Sequence, residues 1–284
     1  MTEWDISGQH VLITGVSAGI GKATAVELAR RGATLTLAGR SPEKTKAIIR
    51  QIEAYGGNAR FLMIDLASPD SVRDAARTFL ASDDRLDVLI NNAGVGGTKG
   101  RTREGFEIAF ATNHLGHHLL TRWLEPRLIE STPARLIVVA SSVHHNVKAI
   151  KWKRLQRRTS SILGNPEYRV SKLANILDAR IWAERLAGTG IDVHIVHPGL
   201  VASEIWRDLP KFLQGMFAKK GQTIEEGADT SIWAATDPQL EGISGRYYGK
   251  RAEKRLSDLA SDDALATRMW DLTEEWLADW LPDR

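Results

Sequence analysis

The chain has 284 residues, of which 43% are hydrophobic and 26% charged, as in an ordinary globular protein. The net charge of +3 argues neither for nor against nucleic acid binding, and the lack of cysteine excludes disulfides, thiolate metal sites and cysteine nucleophiles. No signal peptide and no apolar run of the ~20 residues that a membrane span needs are present, so we expect a soluble cytoplasmic protein.

A strand, a glycine-rich turn and a helix open the chain. Residues 11–14 form a short apolar strand, and residues 22–31 have a helical pattern. Between them, Gly15 turns the chain, Gly19 lets the backbone approach a pyrophosphate, and Gly21 lets the helix pack on the sheet. The free N–H groups at the helix start would face the phosphates. The pattern predicts a dinucleotide-binding βαβ unit; the alternative is a tight turn that binds nothing.

Strands and helices alternate along the rest of the chain. The predicted strands are residues 11–14, 33–38, 60–64, 87–91, 136–140, 192–197 and 245–249. The predicted helices are residues 41–55, 68–80, 106–129, 165–188, one that a capping box opens at 223–226, and a C-terminal helical tail within 261–284. This alternation predicts an α/β fold in a single domain over residues 1–284, a Rossmann-type doubly wound parallel sheet of about seven strands with helices on both faces.

The glycine motif resembles that of the classical short-chain dehydrogenase/reductase superfamily. Its spacing, Thr14-Gly15-x-x-x-Gly19-x-Gly21, is the pattern of that family, and five motifs in all appear in the family's order. The resemblance implies an oxidoreductase with a nicotinamide dinucleotide as cofactor. It implies that these residues bind the cofactor: Gly15, Ser17, Gly19, Ile20 and Gly21 in the loop, Asp65 and Leu66 at the adenine, Asn92, Ala93 and Gly94 after the fourth strand, and Pro198, Gly199, Val201 and Ser203 at the nicotinamide carboxamide.

Tyr168 and Lys172 are the candidate proton-transfer pair. They lie four residues apart and so on one face of a helix, where an ammonium would lower the pKa of a phenol. The alternative is an ordinary pair of surface side chains. The string from Tyr168 to Lys172 resembles the family's Y-x-x-x-K motif, in which the tyrosine exchanges the proton and the lysine also holds the nicotinamide ribose.

Two polar residues complete the candidate catalytic set by resemblance. Ser142 follows the fifth strand, where ligands bind in parallel sheets, and matches the serine that binds the substrate oxygen. We prefer Ser142 to Ser141 because the second serine of the pair matches the family position. Asn113 is a poor residue for the middle of a helix, and it matches an asparagine that holds a water in the proton relay. A loop serine and an exposed asparagine are the alternatives.

The end of the second strand bears on the choice between NADP and NAD. NAD-selective members place an acid there, but this chain has Gly39 followed by Arg40, whose guanidinium suits a 2′-phosphate. Many NADP members add a basic residue before the middle glycine, where this chain has Ala18. The sequence therefore predicts a preference for NADP (NADPH), with Arg40 as a cofactor residue and NAD as a possible cofactor.

Two segments bear on the substrate, a small-molecule carbonyl or alcohol. Three strings near the cofactor motifs, residues 141–145, 171–175 and 197–199, resemble the retinol-dehydrogenase-like branch, which acts on lipophilic carbonyls. Apolar residues recur at helical spacing in 205–217, within a predicted substrate lid over 200–222; the alternative is a helix packed on the core. Residues 148–158 carry six basic residues and no acid, either as a solvated loop or at the entrance to the site. We expect a bulky apolar substrate with tolerance for an anionic tail.

Other functions fit the sequence less well. A non-catalytic NADP-binding redox sensor would have no need for the full set of catalytic residues. A nucleic-acid binder would use residues 148–158, and nucleic acid is not an expected partner. His114 and His118 have helical spacing, but we expect them to pack in the core rather than to bind a metal. A homo-oligomer is possible.

Overall fold

The computed structural model describes residues 4–161, 163–199 and 222–283. In this part of the chain, eight strands form one sheet in the order β3-β2-β1-β4-β5-β6-β7-β8. The strands are β1 His10–Thr14, β2 Thr34–Gly39, β3 Asn58–Met63, β4 Val88–Asn91, β5 Ala134–Val139, β6 Ile191–Val196, β7 Arg246–Gly249 and β8 Ala252–Glu253. All neighbours pair in parallel except β7 and β8, which are antiparallel. The predicted α/β fold is confirmed, with one short strand more than expected.

The helices follow the strands in the predicted order. The α-helices are α1 Gly19–Arg30, α2 Pro42–Glu53, α3 Pro69–Leu80, α4 Ile108–Phe110, α5 Gly116–Glu130, α6 Trp152–Leu155, α7 Asn165–Arg185, α8 Ile224–Thr236 and α9 Asp263–Trp276. Short 3₁₀ helices lie at Ser142–Asn146, Pro238–Leu240 and Ala278–Trp280. The helix predicted over 106–129 is instead interrupted by a π-helical turn, Ala111–Leu115, between α4 and α5.

The sheet separates two apolar layers. Helices α1, α2 and α8 cover one face, and α3, α5 and α7 cover the other, where α9 packs outside α7. Every residue of β1 and of β5 is buried, as expected for strands that are covered on both faces. The edge strand β3 is mostly half-buried or exposed, and it carries Arg60 and Asn58 toward solvent. This packing brings the carboxyl ends of β1 to β7 to a common edge.

Local sequence signals explain where several helices begin. Ser41 and Ser68 each accept a hydrogen bond from a backbone N–H three residues later, and a proline follows each of them. Thr223 and Glu226 form the predicted capping box, with bonds of 3.1 and 2.8 Å in the two directions. These caps satisfy N–H groups that have no partner within the helix. Across the described residues, none of the helices is both long enough and apolar enough to cross a bilayer.

Candidate active site

A groove of about 350 Å³ lies at the carboxyl ends of the strands, where the strand order reverses between β1 and β4. Ligands of open α/β sheets bind at such switch points. Every predicted cofactor residue between positions 15 and 198 lines the groove: Gly15, Ser17, Gly19, Ile20, Gly21, Arg40, Asp65, Leu66, Asn92, Ala93, Gly94, Tyr168, Lys172 and Pro198. The groove therefore joins motifs that lie up to 183 positions apart in the chain.

The glycine loop is packed too tightly for side chains. A Cβ added at Gly15 would lie 2.6 Å from Ala93 Cα, and one at Gly21 would lie 2.4 Å from the carbonyl oxygen of Gly15. Gly15 and Gly19 also have positive φ values of 75° and 59°. Helix α1 thus starts directly against the end of β1, with its free N–H groups at the groove. This cradle fits the pyrophosphate of a dinucleotide.

Asn92 and Thr14 lock the ends of β4 and β1 together. The Asn92 amide donates to the carbonyl oxygen of Thr14 at 2.7 Å, and the Thr14 hydroxyl accepts from the N–H groups of Asn92 and Ala93, both at 3.0 Å. Thr14 was not selected from the sequence, although it precedes Gly15 in the fingerprint. These bonds hold the glycine loop in register with the strand beside it.

His117 links this lock to the π-helical turn. Its Nδ1 lies 2.9 Å from the carbonyl oxygen of Asn113, which can only accept, so Nδ1 carries the proton. Its Nε2 therefore accepts from the Thr14 hydroxyl at 2.9 Å. Burial lowers the pKa of His117 to about 3, so the ring is neutral. His117 follows Asn113 by four residues, and that helical spacing is the signal by which it could have been found.

The Asn113 side chain braces the wall of the groove. Its Oδ1 accepts from the backbone N–H of Val95 at 2.8 Å, and its Nδ2 donates to the Val95 carbonyl oxygen and to the Ser171 hydroxyl. A Cβ at Gly94 would lie 3.4 Å from Asn113 Oδ1 and 3.5 Å from Lys172 Nζ. The structure thus brings Asn113 and Lys172 to the same point beside Gly94.

Tyr168 and Lys172 are almost completely buried, at 5% and 2% exposure, in the first turns of α7. Lys172 Nζ donates to the carbonyl oxygen of Val139, the last residue of β5, at 2.7 Å. Burial lowers the pKa of Lys172 to about 8. Burial also raises the pKa of Tyr168 to about 12, although a hydrogen bond to the Ser141 side chain opposes this. The sequence predicted a lowered pKa for this phenol, but the pKa is raised, because removal from water penalises the phenolate.

The structure places the Ser141 side chain in hydrogen-bond contact with Tyr168. The two serines follow β5 in succession, and Ser141 has an extended backbone. Ser142 is exposed at the start of a 3₁₀ helix. Its role with the substrate stays a prediction, and Ser141 is a residue that the sequence argument set aside.

Two carboxylates anchor the segment before α7. Glu167 accepts from the N–H groups of Ser160 and Ser161 at 3.2 and 3.1 Å, and Glu107 accepts from the Thr159 hydroxyl at 2.5 Å. Glu107 is buried, which raises its pKa. Glu167 thus ties the segment after the basic residues 148–158 to the helix that carries Tyr168, and Glu107 ties it to the start of α4.

The adenosine end of the groove is basic. Arg40 lines it directly after β2, and Gly39 has open space where a side chain would be. Lys44, in the first turn of α2, lines the same end, and its backbone N–H donates to the Ser41 cap. Lys44 is a second basic residue that was not predicted, because the family's second basic residue lies in the glycine loop, where this chain has Ala18. The sheet and helix α2 bring Lys44 to this end instead.

The predicted nicotinamide end is described only in part. Pro198 lines the groove, whereas Gly199 lies beside it and donates its N–H to His197 Nδ1 at 3.1 Å. Gly199 has a φ of 81°, and a Cβ there would overlap the side chain of Gln222. Val201, Ser203 and, apart from Gln222, the predicted lid over 200–222 lie outside the described residues.

Known proteins resemble this chain along most of its length. The family model for short chain dehydrogenases matches residues 9–154. Retinol dehydrogenase 12 of Mus musculus is 41% identical over 283 residues, covering 97% of this chain and 88% of that protein. Dehydrogenase/reductase SDR family member 13 of Bos taurus is 38% identical over 281 residues, covering 95% and 73%. A crystal structure of an uncharacterized protein from Mycobacterium paratuberculosis is 30% identical, with a TM-score of 0.79 and coverage of 99% and 97%.

The groove, the buried Tyr168 and Lys172, and these relatives lead to one conclusion. The family match covers just over half of the chain, and the relatives extend it to both ends of the sheet. The chain belongs to the short-chain dehydrogenase family and is an NAD(P)-dependent oxidoreductase that acts on CH–OH or C=O groups.

Proposed function

We propose that the protein interconverts bulky apolar carbonyl compounds and their alcohols, with NADP as the preferred cofactor. The observation that carries this is the burial of Tyr168 and Lys172 in the wall of the groove that the glycine loop also lines. When bound, the nicotinamide supplies or accepts the hydride. Tyr168 gives the proton to the substrate oxygen in reduction and takes it back in oxidation.

The remaining roles follow from position. Lys172, held by the Val139 carbonyl, binds the ribose and passes the proton on from Tyr168. Asn113 keeps the π-helical turn against Gly94 and Val95, beside Lys172, where it would hold the water of the relay. Ser142 binds the substrate oxygen, while the Ser141 hydroxyl stabilises the phenolate of Tyr168.

The preference for NADP rests on Arg40 and Lys44. Both line the end of the groove beside Gly39, a position that offers no carboxylate to a ribose hydroxyl. A 2′-phosphate would accept charge-assisted hydrogen bonds from the guanidinium and attract the ammonium. The same two cations give NAD no comparable contact.

Fluorescence titration of NADPH and NADH tests the cofactor preference. We expect Arg40→Ala and Lys44→Ala each to weaken NADPH binding roughly tenfold, the value of one charge-assisted hydrogen bond, and to leave NADH binding nearly unchanged. Lys46→Ala is the matched control, because Lys46 is exposed on the same helix and does not line the groove. Equal affinities of the wild type for both cofactors would contradict the proposal.

The apolar substrate class is supported by the relatives. The name of retinol dehydrogenase 12 of Mus musculus gives retinol as its substrate. The region in which that protein is similar to this chain includes the residues around the groove. We therefore expect retinoid-, steroid- or lipid-aldehyde-like compounds to be the best substrates. A panel of such compounds and of short polar sugars, each assayed with NADPH and NADH, tests this. Preferential turnover of the sugars would contradict the apolar class.

We propose three further properties of the protein, which concern its domains, its location and its oligomeric state. The continuous sheet supports one domain over residues 1–284. A cytoplasmic location and homo-oligomer formation are the other two. Fractionation of cells and size-exclusion chromatography with light scattering test them.

A further inference from the structure

The turn between β7 and β8 breaks a local rule of hairpin chemistry. Its central residues, Lys250 and Arg251, have φ values of 54° and 55°. Two-residue hairpin turns of this kind favour Asn-Gly, because side chains with a Cβ are strained at positive φ. Strain that persists at the edge of a binding site is a reason to look for a function.

The surroundings account for one of the two residues. The guanidinium of Arg251 binds both carboxylate oxygens of Asp229 on α8. The backbone N–H of Lys250 donates to the Thr230 hydroxyl at 3.0 Å, which holds the turn but uses no side-chain atom of Lys250. The ion pair therefore accounts for an arginine at position 251. It gives no reason for an ammonium at position 250.

Lys250 and Lys254 differ from the arginines around them. Within the described residues, neither lysine has an acidic partner within ion-pair distance. The neighbouring arginines each have one: Arg246 with Glu253, Arg251 with Asp229 and Arg255 with Asp258. The arginine charges are thus paired at this end of the sheet, and the two lysine charges are left for another partner.

The segments that carry both lysines pack beside His197. The Lys254 backbone N–H donates to the Tyr247 carbonyl at 2.8 Å, and the Tyr247 ring lies against the His197 ring with centroids 5.3 Å apart. Gly249, directly before Lys250, is so close to His197 that an added Cβ would lie 2.1 Å from Nε2. Burial lowers the pKa of His197, and the nearby charges of Lys254, His145 and Lys250 lower it further.

The cluster of Lys250, Lys254, His145 and His197 borders the groove. His197 directly precedes Pro198, which lines the groove, and His145 follows Ser142 by three residues. Since Gly199 donates to His197 Nδ1, the neutral ring carries its proton on Nε2 and is a hydrogen-bond donor there. Donors and cations therefore collect at the carboxyl ends of β6 and β7, next to Pro198 in the wall of the groove.

We propose that Lys250 and Lys254, together with His145 and His197, form a subsite for an anionic group at the far end of the substrate. The inference rests on the proposed function and narrows it: the preferred substrate is an aldehyde or ketone whose other end bears a carboxylate or phosphate. The carbonyl lies at Tyr168, and the anionic group reaches the turn between β7 and β8. The subsite is separate from residues 148–158, to which the sequence analysis attributed tolerance for an anionic tail.

A matched pair of substrates tests the subsite. A straight-chain aliphatic aldehyde is compared with the ω-oxo carboxylic acid of the same chain length, and the readout is the ratio of their kcat/KM values. We expect the wild type to favour the oxo acid, and to do so less at high salt. In the double variant Lys250→Ala/Lys254→Ala the ratio falls about fivefold to tenfold, chiefly through KM, as for the loss of exposed ion pairs.

Two controls and three outcomes make the test decisive. Lys46→Ala removes an exposed lysine far from the cluster and leaves the ratio unchanged. A wild-type ratio of one, or no fall in the double variant, overturns the subsite. An equal fall in Lys153→Ala also overturns it and moves the site to residues 148–158. If neither substrate is turned over with NADPH or NADH, the proposed function itself fails.

Discussion

The phenol of Tyr168 and the ammonium of Lys172 are shifted toward their neutral forms by the same cause. Both are buried at the base of α7, which raises the pKa of Tyr168 to about 12 and lowers that of Lys172 to about 8. Proton exchange then depends on the groups that stabilise the phenolate. Among these, the Ser141 hydroxyl is in hydrogen-bond contact with Tyr168.

The first prediction concerns the acid/base group. Tyr168→Phe removes only the phenol oxygen, so we expect kcat to fall at least ~100-fold while NADPH still binds. Lys172→Ala should weaken both turnover and NADPH binding, because the lysine has a role in each. Stopped-flow turnover and fluorescence titration measure the two effects. A Tyr168→Phe enzyme with a near wild-type rate would falsify the mechanism.

The second prediction separates the two serines. The bond from Ser141 favours the phenolate and thus lowers the pKa of Tyr168, so Ser141→Ala should raise it. In alcohol oxidation the rising limb of the pH–rate profile should move to higher pH. Ser142→Ala should instead lower kcat about 100-fold and leave the position of the limb unchanged. A reversal of these effects would exchange the roles of the serines.

At the scale of elements, the junction of β1 and α1 depends on the lack of a side chain at Gly21. The backbone of Gly15 and the amide of Asn92 both lie within 2.4 Å of the point where a Cβ would be. The backbone contact cannot yield without moving the strand end that Thr14 and Asn92 lock in place. The start of α1 would therefore move away from the groove.

The third prediction follows from this contact. Gly21→Ala should lower the free energy of unfolding by about 1–3 kcal/mol, the usual cost of overpacking, and should reduce the rise in Tm that NADPH causes. Thermal unfolding with and without NADPH measures both. Gly39→Ala is the stability control, since nothing lies within 4 Å of a Cβ at that position. Unchanged unfolding of Gly21→Ala would contradict the packing argument.

At the scale of the whole molecule, one buried imidazole ties three helices together. His118 on α5 is fully buried; its Nδ1 lies 2.7 Å from Asp178 on α7, and its Nε2 lies 2.8 Å from Glu274 on α9. Burial alone would lower the pKa of His118, but the two carboxylates outweigh it and raise the pKa to about 9. The ring is therefore an imidazolium at neutral pH. His118 was expected to pack in the core, and it also carries this charge.

The fourth prediction concerns stability at alkaline pH. Because the folded pKa of His118 is raised from 6.5 to about 9, its stabilising contribution is complete below about pH 6.5 and is lost as the pH rises through 9. The free energy of unfolding of His118→Gln should be about 3–5 kcal/mol lower at neutral pH, since the substitution leaves the buried Asp178 without its cation, whereas Glu274 keeps Arg122. The free energy of unfolding of His118→Gln should also vary less between pH 6.5 and pH 9 than that of the wild type.

His114 offers the matched control. It is buried on the same side of the sheet and bonds to Thr273 of α9, but burial lowers its pKa to about 4. It is therefore neutral across the alkaline range, and His114→Gln should keep the wild-type pH slope. Urea unfolding at several pH values measures the free energies. An unaltered slope in His118→Gln would show that His118 is not the titrating group.

The elements and the cofactor class could be predicted from sequence because their causes are local. A strand followed by Gly15, Gly19 and Gly21 admits few conformations, and caps such as Thr223 act on N–H groups three residues away. Strands buried on both faces are apolar along their length, as in β5. These signals, together with the family motifs, were enough for the sheet, the groove and most of its lining.

The remaining features depend on which distant segments meet. Lys44 reaches the groove only because α2 starts beside the end of β2, and Ser141 meets Tyr168 only because of the backbone after β5. Burial raises the pKa of Tyr168, and carboxylates on two other helices raise that of His118. The turn before β8, Lys250-Arg251, lacks the Asn-Gly or Asp-Gly pair that marks a two-residue hairpin, so β8 was not predicted. Sequence alone determined the fold and the chemistry class, and tertiary packing decided which side chains meet and how they ionise, because burial and long-range contact have no local pattern.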